Sequence, residues 1–155
     1  MTKAILINKV INKFKKKITV SADKSLSIRF AILASQAIGK SKAYNLLRSE
    51  DVISTLTCLK KLGVKIKLTK KKCEIDGRGL NGYIFKNNMI INAGNSGTAA
   101  RLICSTLIKS PKKIKIIGDS SLSKRDMQRI IDPLKKFGAT FYPKNRKTLP
   151  LSIRG

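Results

Sequence analysis

A five-residue segment, Leu59-Lys60-Lys61-Leu62-Gly63, recurs about 75 residues later as Leu134-Lys135-Lys136-Phe137-Gly138, and a similar spacing carries Arg29 onto Arg101, which is the mark of an internal repeat. A chain of 155 residues built on such a repeat must fold two similar units and pack them together. Hydrophobic periodicity fits this constraint. In the first unit it predicts a strand over 17–20, a helix over 25–38 ending at Gly39, and a strand over 42–45. A second helix begins at Ser49 with Glu50 and Asp51 in its first turn, sets Val52, Leu56 and Leu59 on one face, and stops at Gly63. Residues 64–68 and 72–75 alternate with period two around a lysine-rich turn, as a hairpin does. The second unit repeats the order, with helices over 96–108 and 126–137 and strands over 114–117, 140–142 and 151–153. Pro133 inside the last helix is expected to remove a backbone hydrogen bond and kink it. Residues 77–92 read as a connecting loop with at most one short strand. The fold class is α/β (α+β), two βαβαββ units.

Charge is the outlying property. The chain has 34 Lys and Arg against 8 Asp and Glu, a formal +26. One consequence of such a balance is binding to a phosphate backbone. The aromatic platforms and basic recognition helix of nucleic-acid binders are missing, with aromatics at 5% and no Trp. Lys15-Lys16-Lys17, Lys70-Lys71-Lys72 and Lys112-Lys113 fall at strand edges and turns, where lysine discourages edge pairing. The same field steers small acidic ligands inward. With no His and with Cys58, Cys73 and Cys104 sharing no close spacing, zinc and triad chemistry are disfavoured, and the thiols read as reduced and structural in a cytoplasmic protein. The first 20 residues match no secretory signal, and no run reaches membrane-spanning length.

Two motifs sit where a strand hands over to a helix: Asp23-Lys24-Ser25-Leu26-Ser27-Ile28-Arg29 and Gly94-Asn95-Ser96-Gly97-Thr98-Ala99-Ala100-Arg101. Small polar residues at a helix start leave backbone N–H groups at the positive end of the helix dipole, which favours an anion. Each motif adds a basic side chain about one turn in. The pair predicts a small-molecule anion site fed by two turns of one design.

With a third segment, Gly118-Asp119-Ser120-Ser121-Leu122-Ser123-Lys124-Arg125, the motifs resemble, in order and spacing, the 5-enolpyruvylshikimate-3-phosphate (EPSP) synthase family. The resemblance implies a repeated-unit, inside-out α/β barrel fold. It also implies transfer of the enolpyruvyl group of phosphoenolpyruvate to the 5-hydroxyl of shikimate 3-phosphate, without metal or organic cofactor, membrane or specific nucleic acid, in a full-length monomer that glyphosate inhibits. By the same resemblance Lys24 is catalytic and touches both substrates, Ser25 and Arg29 hold shikimate 3-phosphate, and Gly97 and Arg125 bind phosphoenolpyruvate. Asn95, Thr98 and Arg101 support the loop.

Family members are more than twice as long and close two domains of three units each around the substrates. The resemblance therefore implies that 1–22 is an N-terminal segment and hinge strand belonging to the other domain, that 23–77 and 78–155 are two units of one domain, and that this chain carries part of an active site. Asp126 departs from the proline often found after the phosphate-binding arginine, placing a carboxylate beside Arg125. Two alternatives remain open. One is the sister transferase acting on UDP-N-acetylglucosamine, disfavoured by Ser25 and Ser120 where that family has Asn and a reactive Cys or Asp. The other is a small basic nucleic-acid-binding protein.

Overall fold

The computed structural model describes residues 20–155 without interruption, together with residues 6, 8, 13, 15, 17 and 18. The strand expected over 17–20 includes Thr19, which lies outside the described residues, as does most of the N-terminal segment; Lys17, Ile18 and Val20 carry no strand. The first half runs α1 (Lys24–Gln36), β1 (Ile38–Tyr44), α2 (Glu50–Lys61), β2 (Lys65–Leu68) and β3 (Lys72–Arg78). The second runs β4 (Ile90–Asn92), α3 (Gly97–Thr106), β5 (Ile114–Ile117), a 3-10 turn over Leu122–Lys124, α4 (Gln128–Lys136), β6 (Thr140–Tyr142) and β7 (Leu151–Arg154). Their sheets have the orders β1-β3-β2 and β4-β5-β7-β6. All neighbours are antiparallel except β4 and β5, which are parallel across the α3 crossover.

Period-two patterning decides which face each sheet buries. On β3, Cys73 and Ile75 are fully buried while Glu74 and Asp76 point the other way. Ile114 and Ile116 on β5, Phe141 on β6, and Leu151 and Ile153 on β7 turn inward likewise. These side chains join Ile28 and Ala31 of α1, Val52, Leu56 and Leu59 of α2, and Ile103 of α3 in one contiguous core. The outer face of the first sheet carries cross-strand charge rows. Register sets Lys40 opposite Asp76 and Asp76 opposite Lys65, then Lys42 opposite Glu74 and Glu74 opposite Lys67. Opposite charges at facing positions favour this register. Among the described residues, no helix is long and apolar enough to cross a membrane.

Three helix boundaries differ from expectation by two residues, the first being the end of α3 at Thr106 rather than Ile108, where the Leu107 amide bonds to Cys104 O. Helix α1 ends at Gln36 rather than running to Ile38, because Ala37 turns extended while its amide still reaches Leu33 O at 3.1 Å. Gly39 therefore lies inside β1 with φ +87° and does not terminate the helix. Gly77 lets this exit pack closely, since a Cβ there would overlap the Ala34 and Ala37 carbonyl oxygens. Helix α4 starts at Gln128 rather than Asp126, whose carboxylate instead accepts the Gln128 amide at 2.8 Å. Pro133 lies inside α4 and leaves the Arg129 carbonyl without its usual amide donor. The two faces of β3 give a test: Ile75→Ala should cost about 2–5 kcal/mol of unfolding free energy, and Asp76→Ala less than about 1 kcal/mol, read from urea midpoints.

Candidate active site

Parallel pairing of β4 and β5 puts their carboxyl ends side by side, the edge of an α/β layer where ligands commonly bind. The pairing continues past both strands: the Ala93 amide donates to Ile117 O and the Asp119 amide to Gly94 O, each at 2.9 Å. Two loops, 94–96 and 118–125, thus leave the sheet as neighbours. The first turns sharply through Gly94, with φ +58°, and its amide donates to Asn92 Oδ1 at 2.9 Å. Ser96 then caps α3, its Oγ accepting the Ala99 amide at 3.2 Å, while Ser96 O accepts Ala100 N at 3.0 Å. Among the described residues the Gly97 and Thr98 amides remain without an internal acceptor, at the positive end of the helix.

Two guanidinium groups face that helix start. An ideal Cβ on Gly97 would lie 2.9 Å from Arg101 Nη1 and 3.2 Å from Arg125 Nη1. The missing side chain is what lets both cations approach the backbone. Arg101 is half-buried, donates through Nη2 to Asp126 O at 2.9 Å, and leaves its buried Nε unpaired. Arg125 is exposed and donates through Nη2 to Asn95 Oδ1 at 2.9 Å. Among the described residues neither guanidinium has a carboxylate within ion-pair distance. Asp126, beside Arg125 in sequence, spends its carboxylate on the start of α4.

The first motif meets a different fate. Asp23 caps α1, accepting the Leu26 amide at 2.7 Å, so the chain's own carboxylate occupies this helix start. The two helix starts are therefore not copies of one anion trap: α3 offers open amides, and α1 offers side chains. Lys24 Nζ lies 2.8 Å from Asp51 Oδ2. With the Lys24 side chain 53% exposed, such a pair is worth about 0–1 kcal/mol, a tether that a ligand anion can outcompete. Ser25 and Arg29 share one face of α1, one turn apart, and Arg29 is exposed. Buried Ser27 ties the region together, donating to Asp23 O at 2.7 Å and accepting the Leu47 amide at 3.1 Å.

Helix α2 bridges the motifs. Asp51 meets Lys24, and one turn on, Ser54 Oγ would lie 2.8 Å from a Cβ on Gly94. Asp51 and Ser54 were not legible as site residues, because a first-turn acid reads as a dipole partner and nothing local shows what faces it. Asp119 lies in the segment 118–125, where spacing alone shows no partner for it. It accepts the Leu122 amide at 2.7 Å and the Asn95 side-chain amide at 2.6 Å. The Leu122 amide above all, then the Asn95 amide, the Ser121 backbone and the Arg125 charge, hold its carboxyl below the usual carboxylate range. The cysteines offer no nucleophile: burial pushes Cys58 up to about 11 and Cys104 to about 12.

Comparison with known proteins identifies the family. Residues 9–155 match the family model for EPSP synthase (3-phosphoshikimate 1-carboxyvinyltransferase). The chain is 39% identical over 150 residues to a 3-phosphoshikimate 1-carboxyvinyltransferase of Syntrophomonas wolfei, covering 96% of this chain and 35% of the relative. It is 41% identical over 139 residues to one of Streptococcus pyogenes, covering 89% and 32%. The solved EPSP synthase of Acinetobacter baumannii superposes with a TM-score of 0.83 at 36% identity, over 92% of this chain and 32% of that one. The chain thus spans about a third of the length of the relatives it matches, and it belongs to the EPSP synthase family.

Proposed function

We propose that this chain forms part of the site at which an enolpyruvyl group passes from phosphoenolpyruvate to the 5-hydroxyl of shikimate 3-phosphate, releasing phosphate, in the cytoplasmic synthesis of chorismate and the aromatic amino acids. The observation that carries this reading is the convergence of Arg101 and Arg125 on Gly97 at the open start of α3, in a chain of this family. Addition of the hydroxyl across the enol double bond, with protonation of the methylene carbon, gives a tetrahedral adduct. Loss of phosphate and of a methyl proton then restores the double bond. Ligands this anionic need fixed cations and amide dipoles already in place.

In this reading Arg125 and the Gly97 backbone hold the phosphoenolpyruvate phosphate, and Arg101, Asn95 and Thr98 shape the cradle. Lys24, released from Asp51, bridges the two substrates and stabilises charge as phosphate departs. Ser25 and Arg29 hold shikimate 3-phosphate from the same helix, Arg29 through the bidentate geometry a guanidinium offers. Residues 23–77 and 78–155 act as two units of one domain, with the hinge near residue 22. The parts of the family's length that this chain does not span complete the pocket and exclude water, so the isolated 155 residues should not turn over.

A chimera in which this chain replaces the matching third of the Syntrophomonas wolfei relative tests the reading. It should release phosphate only when both phosphoenolpyruvate and shikimate 3-phosphate are present, and not with UDP-N-acetylglucosamine as acceptor. A folded chimera that is inactive with both substrates, beside an active parent, would contradict it. Within that chimera Lys24→Ala should abolish turnover. Arg125→Ala should raise the KM for phosphoenolpyruvate about ten- to a hundredfold, by removing charge-assisted hydrogen bonds. Gly97→Ala should raise the same constant at least about tenfold without unfolding the protein, because the added methyl displaces only the flexible ends of two arginines.

A further inference from the structure

The side chain of Asn95 lies between a group that can only accept and a group that can only donate. Its Nδ2 donates to Asp119 Oδ2 at 2.6 Å, and its Oδ1 accepts from Arg125 Nη2 at 2.9 Å. This fixes which way the amide points. Asp119 is itself held at two further points, through the Leu122 amide on its other carboxylate oxygen and through its own amide on Gly94 O. A rigid carboxylate thus orients an amide, and the oriented amide holds one edge of Arg125. The other terminal nitrogen, Nη1, is left facing Gly97.

We propose that Asp119 is the positioning residue for Arg125, acting through Asn95 to aim the guanidinium at an anion seated at the start of α3. The inference rests on the reading of Arg125 as a phosphate ligand. An exposed arginine otherwise spreads over many rotamers, and each must be frozen out when the anion binds. Placing an amide between carboxylate and guanidinium also avoids a direct ion pair, so the Arg125 charge is not cancelled by a contacting acid.

The sign of one substitution separates positioning from simple charge. Asp119→Asn removes a negative charge near the anion, so Coulomb's law alone predicts tighter binding. Its oxygen can still cap the Leu122 amide. Its new NH2 then faces the Asn95 NH2, and Asn95 must flip to relieve two opposed donors. The flip presents NH2 to Arg125 and removes its shorter acceptor, leaving the guanidinium only the longer bond to Ser121 Oγ at 3.5 Å. Positioning therefore predicts weaker binding, about three- to tenfold for a lost hydrogen bond of ordinary strength.

The experiment uses the 155-residue chain and its Asp119→Asn and Arg125→Ala variants. Phosphoenolpyruvate affinity is read by titration at constant ionic strength, and Arg125 side-chain order by 15N relaxation of its Nε–H without ligand. The expected result is a raised Kd together with a more mobile Arg125 Nε–H in Asp119→Asn, with the backbone amide spectrum otherwise preserved. Unchanged or tighter binding, or an Arg125 side chain as ordered as before, would overturn the proposal. If the parent chain and Arg125→Ala bind phosphoenolpyruvate equally, the reading of Arg125 as a ligand fails instead. The relaxation measurement then still decides whether Asp119 orders that side chain.

Discussion

The candidate site depends on a short run of backbone hydrogen bonds, the parallel pairing of β4 with β5 and its continuation into Ala93–Ile117 and Gly94–Asp119. Parallel strands send both of their following loops out at the same edge, and a crossover helix must begin there. From this one pairing come the adjacency of Gly97 with Arg125, the open amides at the start of α3, and the reach of Asn95 to Asp119. An antiparallel partner for β4 would have sent the second loop to the opposite edge.

Much of the chain was legible because its signals are local. Alternation marked β2 and β3, recurrence of the element order placed β5, β6 and β7, and the strand over Ile114–Ile117 has the predicted limits. The start of α2 at Glu50 lies where Ser49 and two first-turn acids mark it, although the Ser49 side chain makes no capping bond there. What failed was decided by tertiary packing. Gly39 looks like a helix stop, yet α1 leaves its helix earlier because Ala37 turns extended against Gly77, a partner about forty residues away. Asp126 looked like a helix residue and a threat to a phosphate ligand, and its carboxylate turned out to cap α4 from outside the helix. Among site residues, Gly97, Arg101, Arg125 and Asn95 were identified by motif and meet in space. Asp51 and Ser54 were not, because no sequence spacing shows that α2 lies between the two motifs.

The excess of positive charge has two structural outcomes. Part of it is absorbed into rows on the first sheet, where Lys40, Asp76 and Lys65, and Lys42, Glu74 and Lys67, lie side by side in register. Each acid thus lies between two lysines in register, and Glu74 makes its ion pair with Lys72 of its own strand at 2.9 Å. The cations at the loop edge are treated differently. Lys24 has one weak partner, Arg125 has only neutral acceptors, and Arg101 leans on a backbone carbonyl. Charge left without a counter-ion at an open helix start is charge available to a ligand, which separates the site from the far larger number of solvated lysines.

A titration of the uniformly 15N-labelled chain with inorganic phosphate at constant ionic strength, followed amide by amide, tests most directly whether the start of α3 is the anion site. Saturable shifts centred on Gly97 and Thr98 and reaching Asn95 are the predicted result. Shifts that track the lysine rows of the first sheet while Gly97 and Thr98 stay still would contradict it.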